Sequence, residues 1–217
     1  MKPVALRSKQ SLKLMVENTI SADSKPRIAL YGGAFDPVHN AHLAVAGAAY
    51  EQADLAQVIF IPAAQSPLKG HAPATLANDR VEMLRLAIEN RPEFSLDLSE
   101  IEAGGVSYTI DTVLRMHARY PDVELFWIIG ADQLAQLDRW ARIDELVKLV
   151  RFLVLKRSGS SVAAEVPGLS FQWIEAPLMS ESSTEIRRRI AEGDPVDDLV
   201  PTEVAAFIDR RGLYRHQ

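Results

Sequence analysis

Four short, uninterrupted apolar runs constrain this chain more than any other feature: Ile28-Ala29-Leu30, Val58-Ile59-Phe60-Ile61, Leu125-Phe126-Trp127-Ile128-Ile129 and Phe152-Leu153-Val154-Leu155. None shows the polar alternation of a half-solvated strand, so each reads as a strand covered on both faces. The segments between them have helical character. An Ala-rich helix runs from near His39 to about Glu51. Asp79 and Glu82 form a capping pair for a helix whose apolar face carries Val81, Leu84 and Ile88. A further helix from Ser107 to about Tyr120 carries Ile110, Val113, Leu114 and His117. A strand pair is predicted near Phe94–Ala103 and a weaker strand at Phe171–Ile174. Two closing helices follow, Ser183–Glu192 stopped by Gly193 and Thr202–Arg210. Alternating strands and helices predict one α/β domain over residues 27–217, a parallel sheet with helices on both faces.

Composition bounds the function classes. A net charge of -5 and a pI near 5.6 argue against broad binding to nucleic acid or a membrane surface. The chain has no cysteine, which excludes disulfides and thiolate metal sites and fits a reducing cytoplasm. No apolar run is long enough to span a bilayer. Residues 1–26 are basic, with Lys2, Arg7, Lys9 and Lys13. Lys13 interrupts the only apolar stretch, Leu12–Val16, so the segment makes a poor signal peptide and reads as a mobile tail.

Two segments carry chemistry. The first is Gly32-Gly33-Ala34-Phe35-Asp36-Pro37-Val38-His39-Asn40-Ala41-His42, directly after the first strand. Strand, Gly-Gly turn and helix start in that order suit an anion, since backbone amides and the helix dipole point outward there. His39 and His42 are spaced so that both imidazoles face one side of the first helical turn. The second is Ser182-Ser183-Thr184-Glu185-Ile186-Arg187. Alone, Ser182 and Glu185 read as a plain helix cap and Arg187–Arg189 as a solvated face. Beside the first segment they read as the other half of one triphosphate site. Ligands in such sheets sit at the carboxyl ends of the strands, where Gly32–His42, the long 63–77 loop and Gly130-Ala131-Asp132 all fall.

Several chemistries are excluded. The chain has neither a G-x-x-x-x-G-K-[ST] loop nor a G-x-G-x-x-G fingerprint. His39 and His42 have no third ligand at sensible spacing for zinc, and no Ser or Cys sits on a nucleophile elbow. What remains are cationic and hydrogen-bonding groups around a phosphate pocket. Transfer of a nucleotidyl group to an already ionised phosphate would suit them, since it needs positioning and charge stabilisation rather than an activated nucleophile. His39, His42, Lys69 and Arg187 are the right residue types.

The pattern Gly-Gly-Ala-Phe-Asp-Pro-x-His-x-x-His with Ser-Ser-Thr-x-Ile-Arg resembles the nucleotidyltransferase superfamily, whose Rossmann-like fold is shared with class I aminoacyl-tRNA synthetases. Within it the chain looks like the bacterial nicotinate-nucleotide adenylyltransferases. Ser107-Tyr108-Thr109-x-Asp111-Thr112, Ile129-Gly130-Ala131-Asp132, Trp140 and the closing Leu213-Tyr214 carry that narrower likeness. The resemblance implies adenylyl transfer from ATP, with Mg²⁺ carried by the ATP, to nicotinic acid mononucleotide in NAD biosynthesis. It implies that His39 and His42 contact the ATP phosphates and stabilise the transition state. Arg187 and the segment Ser182, Ser183 and Thr184 would hold the β- and γ-phosphates. Gly32, Gly33, Ala34 and Phe35 would bind ATP, Lys69 would reach phosphate from the loop, and Asp132 would contact a ribose. Trp140 would stack on the pyridine ring, and Thr109 would help to seat the nicotinate carboxylate.

Bland readings stand beside these: Trp140 as a core or surface aromatic, Asp132 and Thr109 as helix-cap residues, Lys69 as a loop charge. The chain also departs from the family pattern. Ala34 stands where Thr or Ser is usual, leaving only a backbone amide for phosphate. Ala41 replaces a Gly, Leu68 a His, and Glu181 an apolar residue. Two rivals remain, a phosphopantetheine adenylyltransferase and a nucleotide-binding regulator without turnover. The first would not explain Ser107–Thr112 or Trp140, and the intact His pair and Arg187 argue against the second.

Overall fold

The computed structural model describes residues 25–67, 72–156, 165–177 and 181–215. Six strands are described: β1 (Arg27–Gly33), β2 (Gln57–Pro62), β3 (Phe94–Leu96), β4 (Glu124–Gly130), β5 (Arg151–Leu155) and β6 (Phe171–Ile174). They form one sheet in the order β3-β2-β1-β4-β5-β6, and every pairing is parallel. Helices interleave with the strands: α1 (Asn40–Gln52), α2 (Ala77–Ile88), α3 (Ser99–Ala103), α4 (Thr109–Arg119), α5 (Ala131–Leu134), α6 (Ile143–Leu149), α7 (Ser183–Glu192) and α8 (Thr202–Arg211).

The helices cover both faces, as the apolar runs demand. On one face Ala46 of α1, Leu84 of α2, Ile186 of α7 and Phe207 of α8 pack with Ala29, Phe60 and Phe126. On the other, Val113 of α4 and Leu146 of α6 pack with Leu30, Trp127 and Phe152. Ile28, Leu30, Val58, Phe60, Phe152 and Val154 are fully buried. No helix among the described residues is long and apolar enough to cross a membrane.

The strand order reverses at β1, which pairs with β2 on one side and β4 on the other. Pairing of β1 with β2 continues to Gly33 and Pro62, and that of β4 with β5 continues to Gly130 and Leu155. Pairing of β1 with β4 stops at Leu30 and Trp127. The last three residues of each strand therefore part, opening a crevice at the topological switch point. The Trp127 indole leans across the gap, and a Cβ at Gly32 would stand 2.7 Å from its Cζ2. Glycine is required there by close approach rather than by backbone torsion.

Three expectations are corrected. Residues 94–103 form β3 followed by helix α3 rather than two strands. The Asp97 carboxylate accepts from the Ser99 amide at 3.0 Å and from the Ser99 hydroxyl, a local turn that ends the strand and starts the helix. Asp79 does not cap α2. The helix begins at Ala77, and Asp79, inside its first turn, pairs with Arg211 of α8 at 3.0 Å. Helix α4 starts at Thr109 rather than Ser107, because Ser107 bridges to the segment after β2. Its amide donates to the Gln65 carbonyl at 2.8 Å, and its hydroxyl accepts from the Ala64 amide at 3.0 Å. On α4 the core position goes to Met116, and His117 is exposed. Of the tail expected at 1–26, residues 1–24 lie outside the described residues. Pro26 already accepts a bond from the Glu124 amide at 2.8 Å.

Candidate active site

The turn after β1 delivers His39 to the start of α1, with His42 one turn on. The two rings lie 3.7 Å apart, tilted by 31°. The His39 amide donates to His42 Nδ1 at 3.3 Å, which puts the proton of a neutral His42 on Nε2. His42 is flanked by the edges of Phe35 at 5.0 Å and Tyr31 at 6.1 Å. His39 is 5% exposed, and its Nδ1 has no partner among the described residues. Burial pulls its pKa from 6.5 down to about 4, so the ring is neutral near pH 7. The helix start is less open to anions than the sequence suggests. The Asn40 amide donates to Leu199 at 2.9 Å and the His42 amide to His39 at 3.0 Å, which removes both from service.

Ser182 caps α7, its hydroxyl accepting from the Glu185 amide at 3.2 Å. Glu185 does not complete the capping box. Its carboxylate pairs with Arg188 at 2.7 Å and Arg189 at 3.3 Å. Those two arginines form the solvated face. Arg187 turns inward instead, donating from Nη1 to the Asp36 carbonyl at 2.8 Å and from Nη2 to Thr184 Oγ1 at 3.4 Å. Ser183 donates from its hydroxyl to the Pro37 carbonyl at 3.0 Å. Two segments far apart in sequence are thus stitched together at consecutive carbonyls of the same turn.

A cavity of about 450 Å³ opens in the crevice between β1 and β4, and its lining includes neither the His pair nor Ser182, Ser183, Thr184, Arg187 or Asp132. Gly32, Gly33 and Ala34 form one wall, and Thr109 and Trp140 stand on another. Trp140 is partly buried, edge-on to Phe152 at 6.4 Å, and its indole N–H has no partner among the described residues. Phe35 gives no side chain to the cavity. It is buried in the core against Tyr31 and Phe60, with its backbone in the left-handed region at φ 48. Asp132 is exposed in the first turn of α5, its Oδ1 only 2.5 Å from where a Gly130 Cβ would stand. Lys69 and Leu68 lie outside the described residues. Among those described, no group of three or more His, Asp or Glu is placed to hold a metal ion.

Several residues at the site were not singled out by sequence reasoning. Asp36 is 3% exposed, and its carboxylate accepts from Tyr214 OH at 2.7 Å, Thr75 Oγ1 at 2.5 Å, and the amides of Ala74 and Thr75 at 2.5 and 3.3 Å. Burial and the neighbouring Asp36 raise the Tyr214 phenol well above its usual range, so its hydroxyl stays protonated and donates. Arg80 is 1% exposed and donates to the Ala34 carbonyl at 2.7 Å. Burial lowers its pKa, and the nearby charge of Asp36 opposes that. Glu100 lines the cavity and accepts from Thr112 Oγ1 at 2.5 Å, its pKa raised by burial. Asp36 and Tyr214 stood inside quoted motifs. For Arg80, in an ordinary amphipathic segment, no local signal existed.

A sheet that reverses order beside paired imidazoles and an inward arginine defines a nucleotidyltransferase, and residues 30–189 match the cytidylyltransferase-like family model. A Bacillus subtilis (strain 168) protein named nicotinate-nucleotide adenylyltransferase is 42% identical over 188 residues, covering 87% of this chain and 98% of that protein. A Lactiplantibacillus plantarum protein named a probable nicotinate-nucleotide adenylyltransferase is 39% identical over 205 residues, covering 94% and 96%. The chain belongs to the nicotinate-nucleotide adenylyltransferase family. Its fold is also that of Plasmodium falciparum nicotinic acid mononucleotide adenylyltransferase, solved with NaAD, at a TM-score of 0.72 and 19% identity over 88% of this chain and 98% of that one.

Proposed function

We propose that this protein transfers the adenylyl group of Mg-ATP to nicotinic acid mononucleotide, giving nicotinic acid adenine dinucleotide and pyrophosphate in NAD biosynthesis. The observation that carries the reading is the junction of Arg187 and Ser183 with the carbonyls of Asp36 and Pro37. It brings the arginine to the turn that delivers His39 and His42.

The nucleophile is a phosphate oxygen of the mononucleotide, already ionised, so no base is required. That oxygen bonds to the α-phosphorus while the bond to the bridging α–β oxygen breaks, and pyrophosphate leaves with the electron pair. Charge grows on the α-phosphoryl oxygens and the leaving group, and preorganised donors stabilise it there. His42 donates from Nε2, and His39 supports it as a neutral, stacked partner. Arg187, Ser182, Ser183 and Thr184 hold the β- and γ-phosphates, with Lys69 adding charge from the loop. Mg²⁺ would be carried by the ATP phosphates and water rather than by a protein cage.

Gly32, Gly33 and Ala34 give backbone close to the nucleotide, with Phe35 holding the turn from beneath, and Asp132 contacts a ribose. Trp140 stacks on the pyridine ring while Thr109 seats the nicotinate carboxylate. Both stand on the same cavity as the Gly-Gly turn. Residues 27–217 form the catalytic domain, and the lack of cysteine fits a cytoplasmic location.

The test is pyrophosphate release from Mg-ATP with nicotinic acid mononucleotide, run beside nicotinamide mononucleotide and phosphopantetheine. Release with the first supports the proposal. Release only with phosphopantetheine moves the chain to the sister activity, and silence with all three from ATP-binding protein makes it a regulator.

A further inference from the structure

Tyr214 lies at the far end of the chain from the Gly-Gly turn, yet its hydroxyl reaches the carboxylate beside that turn. The chain turns twice to bring it there: Gly212 ends α8 at φ 62, and Tyr214 itself sits at φ 66. Phe35, next to Asp36, is also left-handed at φ 48. Side chains other than glycine enter that region only when their surroundings over-determine them. Both of these residues are buried in the core.

Asp36 has two separate attachments. Its carboxylate takes the four donors from Tyr214, Thr75 and Ala74, and its carbonyl takes the Arg187 guanidinium. Two residues upstream, the Ala34 carbonyl takes the buried Arg80. The Arg211–Asp79 pair at 3.0 Å ties α8, which leads to Tyr214, onto α2, which carries Arg80. The peptide planes of the turn are thereby set from behind, by residues that line no part of the cavity.

We propose that Tyr214 is a positioning residue for the ATP phosphates, acting through the Asp36 carboxylate to hold the 34–36 turn and, through the Asp36 carbonyl, Arg187. The proposal rests on the reading that ATP phosphates lie between the His pair and Arg187. Without the phenol hydroxyl, Oδ1 of Asp36 keeps, among the described residues, Thr75 as its side-chain donor. The turn then loosens on the phosphate side of the cavity, and the wall formed by Thr109 and Trp140 does not.

The experiment compares the full-length wild-type and Tyr214→Phe proteins by calorimetric binding of a non-hydrolysable ATP analogue and by steady-state kinetics. Loss of one hydrogen bond to a buried charged group predicts roughly 10-fold weaker analogue binding, or an equal fall in kcat/KM for ATP. The KM for nicotinic acid mononucleotide stays within about twofold, since that wall is untouched. Thr75→Val removes the other donor to the same oxygen, carries the same expectation, and serves as the test if Tyr214→Phe does not fold. Wild-type affinity and ATP kinetics in the variant overturn the proposal. So does a parallel loss for both substrates that merely follows a lower melting temperature. A wild-type protein that binds no ATP analogue overturns instead the functional reading beneath it.

Discussion

The His39 and His42 rings stack 3.7 Å apart while the His39 amide donates to His42 Nδ1 at 3.3 Å, so the pair is one preorganised unit with unequal members. One ring is buried and neutral, and the other carries its proton on Nε2. A charge on the buried His39 ring would meet the cost of desolvation.

His42→Ala is expected to lower kcat by roughly 10²-fold or more, the usual cost of one transition-state donor. Single-turnover kinetics on protein with a wild-type circular dichroism spectrum measure this. Near-wild-type turnover would remove His42 from the chemistry.

His39 makes stability depend on pH. Its folded pKa of about 4 lies below the unfolded 6.5, so between those values the unfolded chain binds a proton that the native one refuses. Stability is complete above pH 6.5 and falls by about 3 kcal/mol as pH drops through the window to 4. Urea unfolding at pH 7 and 4.5 is expected to show a smaller drop for His39→Asn than for wild type. Equal drops would mean that His39 is not the group responsible.

Trp140→Ala is expected to raise the KM for nicotinic acid mononucleotide and leave kcat nearly unchanged, because stacking acts in ground and transition states alike. The unpartnered indole N–H makes a purely packing role for this side chain costly. An unchanged KM would nevertheless assign Trp140 to packing against Phe152.

Arg187 and Arg188 are adjacent on α7 and are expected to behave oppositely. Arg187→Ala removes the guanidinium that joins α7 to the turn after β1, and kcat/KM for ATP is expected to fall by roughly 10²-fold. Among the described residues Arg188 pairs with Glu185 and Glu192 on its own exposed helix face, so Arg188→Ala is expected to change stability little and activity not at all. Equal kinetic losses in the two variants would refute the inward role of Arg187.

Local pattern was enough for much of this molecule. The strand spanning Leu125–Ile129 and the helix closed by Gly193 follow from apolar run length and a left-handed stop, which neighbouring residues decide among themselves. Pattern failed where a polar side chain had a choice of partner. Asp79 reads as a cap but pairs with Arg211 of α8, Ser107 reads as a helix start but bridges to Ala64, and Asp97 turns the chain into a helix where the sequence predicts a second strand.

From sequence alone come the parallel sheet covered on both faces, because apolar runs and helical segments alternate along the chain, and the Gly-Gly/His-x-x-His turn and the Ser-Ser-Thr-x-Ile-Arg helix start, because each of these is written within a dozen residues. Only the tertiary structure decides that β1 and β4 part after Leu30 and Trp127, that Arg187 reaches the Asp36 carbonyl, and that Arg80 and Tyr214 hold the turn from behind. The physical reason is that periodicity reports whether a residue is buried, whereas the partner of a buried polar group depends on which distant elements the strand order and crossovers bring against it.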